Sequence, residues 1–170
     1  LSFLSLYGIG KKLIKKTEFS TLSKGLAISL MIAIGIGFHN LGEGLAVGAA
    51  IALGEVALST FLIVGFAMHN TTEGLAIAAP LTSTKAKIAK MIGLGLIAGI
   101  PAIFGTWIGG FSFSPFFTLV FLAIGAGAIF QVVLSIFQYM KEKSDLFSNP
   151  SLFAGISAGL LVMYLTSVLI

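Results

Sequence analysis

Five apolar runs, each about as long as a bilayer crossing, dominate the chain at residues 26–53, 56–80, 91–110, 116–139 and 151–170. A hydrocarbon core about 30 Å thick takes roughly 20 helical residues. Inside it no water can satisfy a free backbone amide, so runs of this length fold as helices. The expected class is all-α: a polytopic membrane helical bundle of five full transmembrane helices in one domain spanning 1–170. Charge is correspondingly scarce, at 9% of residues against about a quarter in a soluble domain, which excludes a water-soluble globule. Twenty-one glycines suit close helix packing, and the lack of cysteine excludes disulfide scaffolds and thiolate metal sites.

The basic residues orient the bundle. All ten are lysines. Lys11, Lys12, Lys15, Lys16 and Lys24 precede the first full run, Lys85, Lys87 and Lys90 separate the second from the third, and Lys141 and Lys143 separate the fourth from the fifth. The alternate connections, Gly54-Glu55 and Phe111 to Pro115, carry none. Cytoplasmic loops are enriched in lysine and arginine, so the lysine-bearing side is expected inside and the C-terminus outside. Residues 1–10 are too short to span and read as the end of a preceding helix, with 11–25 a cytoplasmic lysine-rich loop. Charge placed in this way fits a bilayer surface, and no nucleic-acid partner is expected.

One pattern breaks the apolar background. His39-Asn-Leu-Gly-Glu43-Gly-Leu-Ala46 in the first run returns thirty residues later as His69-Asn-Thr-Thr-Glu73-Gly-Leu-Ala76 in the second. These segments hold both histidines and the only acidic residues inside any run. An ionisable group in hydrocarbon costs at least about 2.5 kcal/mol, so each needs a partner, water or an ion. Within each copy a four-residue spacing puts His and Glu on one helix face, about 6 Å apart along the axis, with Asn about 100° round. Imidazole nitrogen with carboxylate and amide oxygen suits Zn²⁺, Fe²⁺ or Mn²⁺, and such ligands exchange more readily than thiolates. The candidate metal ligands are His39, Asn40, Glu43, His69, Asn70 and Glu73.

Counting brings the two copies together. The first two runs meet at a tight turn near Gly54-Glu55, with His39 fifteen residues before Gly54 and His69 fifteen after it. The histidines then share one depth near the bilayer centre. Glu43 is expected about one turn further out and Glu73 about one turn further in, a polar ladder roughly 12 Å long. A ladder of exchangeable ligands describes a pathway better than a store. The plainer alternative is that the His and Glu side chains only glue the hairpin by hydrogen bonds, although packing alone does not require the same ligand types twice. Glu55, in the outer turn, reads as a solvated carboxylate. An intramembrane zinc-dependent hydrolase would use the same residue types, but it needs distinct ligand and base roles where this motif is symmetric. No enzymatic activity is expected. A metal-free proton or anion pathway is disfavoured because the polar residues within the runs are acidic and neutral, not basic.

The duplicated HNxxEG on adjacent helices joined by a short turn resembles the fourth and fifth transmembrane helices of the ZIP (ZRT/IRT-like) family of divalent metal-ion transporters, particularly its prokaryotic members. The likeness runs along the whole chain, with residues 1–9 as the end of helix three and the five runs as helices four to eight. It implies half of an inverted-repeat transporter fold in a prokaryotic plasma membrane, with zinc, iron or manganese taken up toward the cytoplasm. A second copy of the chain is the protein partner considered. In family terms His39, Glu43, His69 and Glu73 match the main transport site, and Asn40 and Asn70 with the two glutamates match a neighbouring second site. The family's proline before the glutamate is replaced by Gly42 and Thr72, and its Glu-Pro pair in helix six is matched by Ile100-Pro101. With no carboxylate at Ile100, one well-occupied ion is expected, and a second only at high metal concentration.

Overall fold

A computed structural model describes residues 8, 21–82, 86–111, 114–143 and 150–168 of the chain. Among them every regular element is helical: α1 (Thr21–Ala52), α2 (Val56–Ala78) with a 3-10 turn Ala79–Leu81, α3 (Ile88–Phe111), α4 (Pro115–Lys143) and α5 (Pro150–Val168). Each expected run therefore forms one helix. α1 starts at Thr21 and not at residue 26, so residues 21–25 of the expected loop are helical, because the apolar stretch marks the hydrocarbon and not the end of the hydrogen-bonded helix. The expected end of a preceding helix and the first part of the lysine-rich loop, residues 1–20, lie outside the described residues, Gly8 apart.

Three segments are long and apolar enough to cross a membrane, Lys24–Ala52, Ile88–Phe111 and Ala123–Lys141, which is compatible with an integral membrane protein. Of the other two helices, α2 is diluted by its polar block His69 to Glu73, and α5 is a 19-residue helix of mostly apolar residues. Large apolar side chains also point outward, among them Trp107, Phe111 and Phe116, as expected of helices surrounded by lipid.

The chain divides into two compact units, Leu1–Ile136 and Phe137–Ile170. The second consists of the last turns of α4 together with α5, whose described side chains are almost all exposed. The first is organised around α1. Apart from its His39 to Glu43 block this helix is largely apolar, as a central packing helix must be. Met31, Ile32, Ala33, Ile36 and Leu45 are its buried centre.

Between α1 and α2 the chain reverses within two residues. The Gly54 N–H donates to the Ile51 carbonyl and the Glu55 N–H to the Ala50 carbonyl, both at 3.0 Å. This crossed pair closes the last turn of α1 and requires a left-handed residue at its centre, where Gly54 has φ +74°. Glu55 then starts α2, with its carbonyl accepting the Ser59 N–H at 2.9 Å.

α1 packs most extensively on α3, and glycines make that contact close. A Cβ at Gly44 would strike the Ala102 carbonyl, one at Gly48 the Thr106 carbonyl, and one at Gly105 the Leu41 carbonyl with the Leu45 nitrogen 3.0 Å away. The opposing atoms are helix backbone and cannot swing aside. Gly105→Val is therefore expected to force the helices apart and to cost about 1–3 kcal/mol, as overpacking does. Gly95→Val in the same helix, where nothing lies within 4 Å, is the control. Thermal unfolding in detergent checks the pair, and equal midpoints would contradict the packing assignment.

Candidate metal centre

The hairpin brings both copies of the motif together. A single carboxylate oxygen, Glu43 Oε1, lies 3.0 Å from His39 Nε2 and 2.5 Å from His69 Nε2. Glu73 Oε1 lies 3.8 Å from the same nitrogen of His39. The two imidazole rings sit 6.1 Å apart between centroids, tilted by 42°. Phe66, one turn before His69, meets that ring edge-on at 5.6 Å and holds its orientation. Glu43 is nearly enclosed, its side chain 7% exposed, while His39 and His69 keep about a quarter of theirs open.

This arrangement corrects the expected 12 Å ladder. The histidines do share a level, as the count from Gly54 requires, but the carboxylates converge on them. The reason is the tilt of helical side chains toward their own N-terminus. Glu43 leans back along α1 onto His39, and Glu73 leans back along α2 toward His69. Because the helices run antiparallel, both lean toward the same plane. The result is a compact cluster.

Asn40 has an additional role. It is 4% exposed, and its Nδ2 donates to the Ala98 carbonyl of α3 at 3.0 Å. Pro101 lies inside α3 and deprives the Ile97 carbonyl of its usual donor. Gly37 of α1 packs against that freed carbonyl, 2.7 Å from where its Cβ would be, so α1 docks on the perturbed turn of α3 both before and at the motif. Thr71 and Thr72, which fill the variable positions of the second copy, bond to the carbonyls of Ala67 and His69 in their own helix. They satisfy backbone and stay out of the cluster.

What the cluster lacks is donors. Glu43 Oε2, Glu73 Oε2, Asn40 Oδ1 and Asn70 Oδ1 are all buried without a hydrogen-bond partner. Leaving such an atom unmade costs about 1–3 kcal/mol, more for a charged one. Two of these oxygens belong to the carboxylates that meet the imidazoles, and buried carboxylate oxygens without donors call for positive charge. His39, Glu43 and His69 could hold a metal ion, since one ligand atom from each lies within 4.8 Å of the other two. Of the six residues singled out from the sequence, His39, Glu43, His69 and Glu73 meet in one cluster, Asn40 bonds to α3, and Asn70 has a buried amide oxygen without a donor.

The sequence reading passed over Gln131 of α4, which packs against this part of α1. It is 3% exposed, and its Oε1 also lacks a donor. Its signal was present: an amide in an apolar run, four residues before a serine. Comparison with family models, curated proteins and solved structures finds no match for the chain.

Proposed function

We propose that this chain moves divalent transition-metal ions, zinc first and iron or manganese next, across a membrane toward the cytoplasm, as a transporter of the ZIP type. The ions pass between α1 and α2, held by His39, Glu43, His69 and Glu73 with Asn40 and Asn70 beside them. The observation that carries this reading is the convergence of Glu43 and Glu73 on two histidines, each carboxylate with a buried oxygen that has no donor, at the middle of an apolar helical hairpin. A hairpin needing only internal glue would pair those oxygens with hydroxyls or amides. A purely structural metal site would favour thiolates, and the chain has none. Mixed imidazole and carboxylate ligands bind a dehydrated ion and still release it. The metal is cargo here, and no reaction is assigned to the chain.

The test is zinc uptake by liposomes containing the purified chain, followed with an indicator sealed inside. Entry above that of protein-free liposomes supports the reading, and equal entry overturns it. The inward direction rests on the lysines. Cysteine at Lys87, in an exposed stretch before α3, is expected to resist an impermeant thiol reagent applied to intact cells, whereas cysteine at the exposed Glu55 turn reacts. The opposite labelling pattern would reverse the orientation.

A further inference from the structure

An ion leaving the cluster toward the N-terminal end of α1 meets an apolar barrier. On the face of α1 that carries His39 and Glu43, the next residues in that direction are the buried Gly35 and then Ile36 and Ile32, the two isoleucines 1% and 0% exposed. None offers a ligand. Gln131 lies beside this barrier on α4. Its Nε2 donates to Ser135 Oγ at 2.7 Å, one turn along the same helix, which fixes the amide. Its Oε1 is left free and faces Gly35 of α1, 3.0 Å from where a Cβ there would stand. Gly35 lies one turn, about 6 Å along the axis, before His39. At the level of His39 itself α4 presents Gly125, with no side chain between the two helices.

Gln131 would ordinarily be an expensive residue at this place. Its carbonyl oxygen is 3% exposed as part of the residue and unpaired, and Val132 and Ala128 beside it show that apolar packing fills the same contact well. Building on the transport reading above, we propose that Gln131 Oε1 is a transient cation-binding step next to the cluster, receiving a divalent ion as it leaves His39 and Glu43, with Ser135 positioning the amide. A neutral amide oxygen suits that task. It replaces part of the ion's lost hydration past Ile36, yet it holds the ion far more weakly than a carboxylate and lets it go.

Such a step predicts a split between binding and movement. In liposomes containing the full chain, Gln131→Met, close in shape but without the oxygen, is expected to lower the initial zinc uptake rate about tenfold, the equivalent of one lost polar contact. Equilibrium zinc affinity, measured by dialysis on the same protein, should stay within about twofold of the parent, because the main ligands are untouched. Ser135→Ala should show the same split, more weakly. Gln131→Glu should retain one additional zinc per chain at equilibrium and also slow uptake, since a carboxylate holds what an amide releases. Parent-like uptake by Gln131→Met would overturn the proposal. So would a fall in affinity and rate in equal proportion, which marks a packing role. If the unaltered chain moves zinc and Glu43→Ala lowers that movement by two to three orders of magnitude while the Gln131 and Ser135 variants remain parent-like, only this step fails. If the unaltered chain moves no zinc, the transport reading fails, and this step with it.

Discussion

Glu43→Ala is expected to lower zinc uptake by two to three orders of magnitude, more than any other single change in the cluster. Glu43 is the one residue in contact with both imidazoles, and it is the most enclosed of the four main ligands. An ion entering the cluster gives up its water, and removing one partner of a buried charge pair costs about 3–5 kcal/mol, which corresponds to that loss. Glu73 touches the cluster only at 3.8 Å, through His39, so Glu73→Ala should lose less. His39→Ala and His69→Ala should fall between them, each removing one neutral ligand. Glu55→Gln is the control: that side chain sits exposed in the turn beyond the helices, where water can replace it. Uptake measured side by side in liposomes decides the ranking. Equal loss from Glu43→Ala and Glu55→Gln would refute the assignment of the site.

The helices were legible because a single physical constraint writes them. A run of apolar residues long enough for a bilayer has few alternatives, and each of the five became one helix, with ends displaced where polar residues continue the hydrogen bonding. The hairpin was legible for a similar reason, since Gly54 supplies the one left-handed residue the reversal needs. Which helices pack on one another was not. The small-xxx-small spacing occurs at Gly44 to Gly48 and Gly105 to Gly109, and these face each other across α1 and α3. It occurs equally at Gly95 to Gly99 and Gly155 to Gly159, and there nothing lies within 4 Å. Spacing marks a surface that can be approached closely, while the partner is chosen by the whole arrangement of helices.

Within the site, ligand identity could be read from the duplicated motif, and the level of the histidines from simple counting. The clustering of the carboxylates could not be read from Cα positions alone, because side-chain tilt moves a glutamate by about the length of one turn. Asn40 shows a different limit. Its bond to the Ala98 carbonyl joins residues 58 apart in sequence, and it matters because Pro101 disturbs the turn it docks against. Gln131 was masked by its setting, an apolar run in which an amide reads as tolerated polarity until its oxygen is found buried and unpaired.

Acidification from pH 7.5 to pH 5.5 is expected to weaken zinc binding by at least about tenfold. The metal and a proton compete for the same nitrogen on each histidine, since His39 and His69 both aim Nε2 at the shared Glu43 oxygen, where the ion would bind. A ring that carries a proton on that nitrogen cannot bind the ion until it gives the proton up, so each protonated ring weakens binding by up to about tenfold per pH unit, and the two effects multiply because both rings must be neutral together. The sign follows directly: protons favour the empty site, and metal binding expels them. Zinc titrated calorimetrically into the detergent-solubilised chain near pH 6.5, in buffers of different ionisation enthalpy, should therefore report proton release on binding. The affinity of His39→Ala should fall less steeply over the same pH range, because one competing ring remains. A parent affinity that does not vary with pH, or one that strengthens on acidification, would show that the histidines are not the ligands.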